Sequence, residues 1–164
     1  CREQIDKEKE RVLAPTKRDS GIEWKELHNG LSRVMQYYVG EFKSERTLDL
    51  ALEEIDRIEK YAVPQLYALD PHKLMRSLED LSLIEHAKIM IRAMKERKLS
   101  DPKLSLTRVD YPDSDAEDMK NYLAVYQEGG ETKFERIPLR YWGNMKEQYE
   151  AHNPDYSGVY KPEK

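Results

Sequence analysis

The sequence has almost no cysteine, since Cys1 is the only one among 164 residues. An internal disulfide needs two cysteines and a four-thiolate zinc or iron–sulfur site needs four, so the chain alone can form neither. A single cysteine fits a reducing compartment, and we expect a cytoplasmic protein. Long apolar runs are also missing, and none approaches the roughly 20 residues that cross a bilayer. We therefore expect neither a membrane span nor a signal peptide.

Glycine is scarce as well, and its spacing excludes the common phosphate-binding loops. Neither G-x-G-x-x-G nor the Walker A pattern can be drawn through the seven glycines, so the chain alone should not bind a dinucleotide or ATP in the usual ways. Basic residues are outnumbered by acidic ones, and the net charge is -4. The chain therefore lacks the positive field that nucleic-acid binding requires, and no nucleic-acid partner is expected.

Catalytic and metal-binding motifs are missing too. The four histidines form no H-x-x-x-H or H-E-x-x-H pair, and nothing resembles a G-x-S-x-G elbow. Paired carboxylates are common, but 37% of all residues are charged. Such pairs are therefore interpreted as solvated helix faces rather than acid–base pairs. We expect no metal site and no cofactor site within the chain itself.

Helical periodicity dominates the first hundred residues. Apolar residues recur at helical spacing from Trp24, a second helix follows Ser44 as N-cap, and Asp70-Pro71 marks the start of a third. The third helix should run to about Lys98. Residues 24–100 are therefore predicted to form an antiparallel three-helix bundle.

The third helix is apolar on two sides. One stripe ends in an acid and the other is wholly apolar, so this helix should pack against more than one neighbour. The stripes are Leu74, Leu78, Leu81 and Glu85, and Ile84, Ala87, Ile91 and Met94.

The residues on either side of the predicted bundle have other sequence patterns. Residues 1–23 have the charged pattern of a helix end and a linker, starting inside a helical repeat, which suggests a missing upstream domain. Residues 101–139 contain a crossing segment and two alternating stretches around Gly129-Gly130, which predict a β-hairpin. Residues 140–164 are rich in tyrosine and tryptophan with little periodicity. This aromatic tail is predicted to be extended and irregular, lying on another surface.

Glu85 and Arg108 are the most informative charged residues. Glu85 lies on an apolar stripe, and a partly buried carboxylate needs a cationic partner. Arg33, Arg92 and Arg108 are the candidates. Arg108 stands beside Asp110, so Glu85, Arg108 and Asp110 are predicted to form a structural clamp that ties the segment after the third helix to the bundle. Binding of an anionic substrate by Arg108, a catalytic role, is the less favoured hypothesis.

Three stretches in this order resemble one known family: GLSRVMQYYVGEFKSERTLDLALEEIDRIEKY, DPHKLMRSLEDLSLIEHAKIMIRAMKER and TRVDYPDSDAEDMKNYLAVYQ. Together they resemble the C-terminal helical domain of the succinate dehydrogenase/fumarate reductase flavoproteins. Within that family, the H-x-L-M-R of residues 72–76 and the R-x-D-Y-P of residues 108–112 are similar to the branch of adenylylsulfate (APS) reductase alpha subunits.

The resemblance implies an FAD-dependent reductase in which FAD and the catalytic side chains lie in upstream FAD-binding and capping domains. It implies that the helical domain packs on those domains, mediates subunit contacts and is not catalytic alone. An iron–sulfur subunit is the implied electron donor, and a membrane-peripheral location is an alternative to the cytoplasm. The family often has an arginine nine residues after the glutamate of the long helix, where this sequence has Met94. It often has S-R-G at the end of that helix, where this sequence has Arg97-Lys98-Leu99. Because of these departures, fumarate reductase-like and APS reductase-like parents both fit. A free-standing helical interaction module is the alternative outside this family.

Overall fold

The structure is a computed structural model that describes residues 2–101, 105–113, 115, 118–139 and 147–152. The chain divides into two compact units, the first reaching Asp115 and the second beginning at residue 116. The helices of the first unit are α1 (Arg2–Leu13), α2 (Trp24–Tyr38), α3 (Glu45–Tyr61) and α4 (Pro71–Glu96), with short 3-10 helices at Ala14–Lys17 and Val63–Gln65.

The three main helices begin where the sequence predicts, and each has a capped first turn. Glu23 and Glu26 form a reciprocal capping box at the start of α2. Ser44 accepts a hydrogen bond from the Thr47 N–H at the start of α3. Asp70 accepts one from the Lys73 N–H, and Pro71 occupies the first position of α4. Each cap satisfies an N–H group that the first helical turn leaves without a partner.

The hydrophobic core lies between α2, α3 and α4, which contact one another pairwise. One apolar stripe from each helix is buried there, so the predicted three-helix bundle is confirmed. The stripes are Leu27, Leu31 and Val34 on α2; Leu48, Ala51 and Ile55 on α3; and Ile84, Ala87 and Ile91 on α4.

The region predicted as a helix end and linker, residues 1–23, contains α1 and the 3-10 helix that follows it. No residue of α1 is buried. The end of α1 and this 3-10 helix form one wall of an open cleft of about 770 Å³. The opposite wall carries Leu78, Leu81 and Glu85 of α4, which is the second stripe of that helix.

Two very short parallel strands complete the first unit, β1 (Phe42–Lys43) and β2 (Thr107–Arg108). They pair Phe42 with Thr107 and Lys43 with Arg108. The first part of the predicted crossing segment, up to Asp115, therefore belongs with the helices.

In the second unit, β3 (Asn121–Glu128) and β4 (Glu131–Pro138) form an antiparallel pair, after a 3-10 turn at Asp118–Lys120. Gly129 and Gly130 connect them with φ angles of 61° and 84°. Both signs are those of a type I′ turn, which matches the twist of the strands. The predicted hairpin is confirmed. Of the predicted tail, only residues 147–152 are described, and they are helical; residues 140–146 and 153–164 lie outside the described part of the chain.

Candidate functional site

Among the described residues, Arg108 is the largest side chain that is completely buried, and its backbone is fixed on both sides. The N–H of the next residue, Val109, donates to the Lys43 carbonyl at 2.9 Å, which holds β2 against β1. The Arg108 N–H donates to Ser100 Oγ at 2.7 Å. Ser100 Oγ also lies 2.7 Å from the carbonyl oxygen of Tyr111, so one hydroxyl ties the two ends of the turn after β2.

The guanidinium of Arg108 joins three parts of the first unit. Nε and Nη2 donate to the two carboxylate oxygens of Asp110 at 3.0 and 2.9 Å, a bidentate pair. Nη2 also donates to Glu45 Oε2 at 3.0 Å, in the first turn of α3. Nη1 donates to the Met94 carbonyl at 2.7 Å and lies 3.4 Å from the Arg97 carbonyl, at the end of α4.

These contacts occupy the whole hydrogen-bonding capacity of the group. A guanidinium carries five N–H donors, and Arg108 makes five hydrogen bonds within the chain. No donor remains for a substrate anion. The guanidinium also stacks over the ring of Tyr111, 4.9 Å from its centre, which fixes its plane further.

Asp110 has a second role beside its pairing with Arg108. Its Oδ2 accepts the N–H of Glu45 at 2.7 Å, so it also satisfies a free donor at the start of α3. The hydrogen bonds from Arg108 are the main cause that lowers the pKa of Asp110 to about 2. The carboxylate is therefore charged throughout the physiological range.

Two lysines extend the network. Lys95 forms ion pairs with Asp49 and, at 3.3 Å, with Glu45 Oε1, so that Glu45 bridges Lys95 and Arg108. Lys43 is buried, with its Nζ 3.2 Å from the carbonyl oxygen of Glu41. Burial, and then the positive charge of Arg108, lower the pKa of Lys43.

Glu85 does not lie where its stripe suggested. The structure brings Arg108 and Asp110 together, but Glu85 is exposed at the rim of the cleft beside α1. It has no hydrogen-bond or ion-pair partner within the described ranges. Met94, where Arg108 binds, is nine positions further along the helix, which corresponds to about 13.5 Å along its axis. The expected burial of Glu85 is therefore corrected, and Glu45 occupies the place proposed for it.

Other buried charges, among them Lys88 and Asp80, escaped the sequence-based prediction. Lys88 lies on the core side of α4 and pairs with Asp56 at 2.7 Å and Glu59 at 2.5 Å on α3. Asp80 is also buried on α4, and its Oδ1 accepts the Nδ1–H of His28 at 2.8 Å. The sequence did contain a signal for Lys88. It falls between Ile84 and Ile91, at the spacing of the core residues of α4, which indicates a buried charge that needs acidic partners.

The described ranges contain no group of three or more histidine, cysteine, aspartate or glutamate side chains placed to hold a metal ion. No helix within them is long and apolar enough to cross a membrane. The site is thus an ionic network centred on the fully hydrogen-bonded guanidinium of Arg108.

The described part of the chain is thus mainly helical, with a three-helix bundle and a β-hairpin. The chain matches the family described as "Fumarate reductase flavoprotein C-term" over residues 28–152, and it belongs to that family. No curated protein matches the chain.

Solved structures agree on the fold. Adenylylsulfate reductase from Archaeoglobus fulgidus is 22% identical, with a TM-score of 0.78 over 87% of this chain and 26% of that chain. Quinol fumarate reductase from E. coli is 14% identical, with a TM-score of 0.68 over 87% of this chain and 26% of that chain. The Mycobacterium smegmatis Sdh1 complex gives 19% identity and a TM-score of 0.65 over 84% and 24%. The chain thus spans about a quarter of the length of these relatives.

Proposed function

We propose that the chain is the C-terminal helical domain of an FAD-dependent reductase and that it packs on the FAD-binding and capping domains of the same polypeptide. Its role is to support those domains and the subunit contacts, without catalysis of its own. Membership of the flavoprotein family supports this proposal. FAD is the cofactor of the parent, held outside this chain.

The observation that carries the structural role is the saturated guanidinium of Arg108. An arginine that binds a substrate anion needs free donors and an open approach, whereas Arg108 has neither. We propose that Arg108 and Asp110, with Glu45 in place of Glu85, clamp the segment after α4 to the start of α3 and the end of α4. This clamp holds the chain in position as it leaves the bundle.

Electrons in the proposed parent reach the flavin from an iron–sulfur subunit. With one cysteine, this chain cannot supply the thiolates for a cluster. The proposal places the parent in the cytoplasm or at the membrane periphery. Its substrate is an adenylylsulfate-type or a fumarate-type acceptor, and the flavin would transfer the hydride or electron pair to it.

Two assays test the proposal. The reading frame upstream of Cys1 should encode a strand followed by G-x-G-x-x-G and a helix. The complete purified protein should then reduce either fumarate or adenylylsulfate with an artificial electron donor. A start codon a few residues upstream would contradict the proposal and favour a free-standing interaction module.

A further inference from the structure

The side of α4 that points away from the core carries several large apolar side chains. Four large side chains, Met75, Leu83, Ile89 and Met90, are between 40% and 47% exposed there. At 100° per residue, all four fall within one sector of about 120°, opposite the buried residues Ile84 and Ile91. We call these four residues the outer face.

Charge is sparse within this sector. Its central positions are Glu79, Ser82 and His86, so one acidic side chain accompanies four large apolar residues. The equivalent exposed positions of α3 carry Arg46, Glu53 and Arg57. A helix exposed to water normally has the pattern of α3, whereas a helix that is apolar on several sides is buried on several sides.

We propose that the outer face of α4 is covered by the FAD-binding part of the same polypeptide, which makes α4 the central helix of the complete subunit. This inference rests on the proposed function. It goes further because it assigns one face of one helix to that contact, and leaves the charged face of α3 to solvent or to other partners.

Two observations favour this occupant over a separate subunit. The relatives have about three quarters of their length outside the matched region, so a large body of the same chain needs a docking surface. Permanent contacts resemble a divided core and are depleted in charge, while electron-transfer encounters are smaller and more polar. The outer face resembles a permanent contact, because it combines large apolar side chains with little charge.

Radical footprinting of the complete, unmodified protein tests this assignment. We expect Met75 and Met90 to be oxidised roughly tenfold more slowly in the native protein than in the urea-unfolded protein. This protection should not depend on protein concentration and should not require an iron–sulfur subunit. Oxidation at the unfolded rate would overturn the assignment. Protection that appears only at high concentration, or only with an added subunit, would overturn it too, because the occupant would be a second copy or a partner.

Cysteine labelling gives a second readout with a matched control. Leu83→Cys should react with a maleimide roughly tenfold more slowly than Glu53→Cys on the exposed side of α3, with both sites quantified by peptide mass spectrometry. Equal rates in the folded protein would contradict the assignment. Failure of the proposed function is seen separately, because a protein that lacks bound flavin and an upstream domain fails on flavin content, whatever the labelling rates.

Discussion

At the scale of single residues, Arg108 shows how a buried charge is made compatible with a small core. Its guanidinium faces two carboxylates and two carbonyl oxygens, so the cost of removing it from water is offset by charge-assisted hydrogen bonds. Burial alone would lower the pKa of Arg108, but the pairing with Asp110 and Glu45 outweighs it and raises the pKa. The residue therefore remains a cation at every pH the protein meets.

Removing this cation should be costly. Arg108→Ala leaves Asp110 and Glu45 without their partner, and we expect the free energy of unfolding to fall by about 3–5 kcal/mol. Arg57→Ala is the control, because Arg57 is 70% exposed and its ion pair with Glu54 is long, at 3.5 Å. Its removal should lower the free energy of unfolding by about 0–1 kcal/mol. Urea unfolding followed by circular dichroism measures both. Unchanged stability combined with lost turnover would refute the clamp and favour the catalytic hypothesis for Arg108.

Asp110 predicts a particular dependence of stability on pH. Its pKa falls from the ordinary 3.8 to about 2 in the folded state. The unfolded state therefore binds the proton more readily, so the stabilisation is complete above pH 4 and is lost as pH falls toward 2. The difference in unfolding free energy between the native protein and Asp110→Asn should be constant above pH 4 and shrink between pH 4 and 2. Glu53→Gln, which changes an exposed carboxylate, should leave stability nearly unchanged. A difference from Asp110→Asn that persists undiminished at pH 2 would contradict this account.

At the scale of elements, Gly21 fixes the approach of the chain to α2. The N–H of Ile22 donates to the Gln65 carbonyl at 2.8 Å, and a Cβ at Gly21 would lie 2.2 Å from that carbonyl oxygen. We expect Gly21→Ala to destabilise the first unit by about 1–3 kcal/mol.

Gly30 offers the matched comparison within α2, because a Cβ there would meet only Ile58 Cδ1 at 3.8 Å. Gly30→Ala should stabilise the helix by about 0.5–1 kcal/mol, since alanine loses less backbone entropy. Thermal unfolding of both variants gives the comparison. Equal effects at the two positions would show that the approach between Gly21 and Gln65 is not tight.

The hairpin makes a separate prediction at its turn. Gly129 and Gly130 have positive φ and no atom within 4 Å of an added Cβ, so backbone strain alone decides the effect of substitution. Gly130→Val should therefore weaken β3–β4 pairing by about 1–2 kcal/mol, while Gly129→Asn, which restores a favoured Asn-Gly turn, should be tolerated. Amide hydrogen exchange along β3 and β4 reports the difference. Faster exchange in the asparagine variant than in the valine variant would contradict the turn assignment.

The sequence predicted these elements well where a local signal exists. Ser44, Asp70 and Pro71 act through bonds to their own helix, and Gly129-Gly130 acts within its own turn, so their positions sufficed. Asp110 was predicted as a partner of Arg108, but Glu45 was missed. Glu45 is 63 residues away in the sequence, and only the tertiary structure brings it to Arg108. The β1–β2 pairing is two residues long and has no alternation to detect.

Glu85 was misplaced for a different reason. Periodicity shows that its stripe is distinct from the core stripe of α4, but it does not say what that stripe faces. In the described structure the stripe lines an open cleft, so Glu85 stays in water. Assignment of a buried acid from spacing alone fails when one helix has several apolar sides.

At the scale of the whole molecule, two features bear on the proposed function: the exposed apolar residues of α4 and the fully hydrogen-bonded guanidinium of Arg108. Arg108, Lys88 and Lys95 link elements within the first unit through ion pairs, whereas α4 also exposes several large apolar side chains. Under the proposed function, such a domain contributes by packing, and the chemistry of the parent belongs to the domains on which it would pack.

The flavin content of the complete protein tests this account most directly. The polypeptide encoded by the full reading frame should be purified, and its flavin quantified after release by denaturation. The account predicts about one FAD per chain, with the flavin bound outside residues 1–164. A complete protein that carries no flavin, and whose reading frame adds no nucleotide-binding domain to this chain, would contradict the assignment to a reductase.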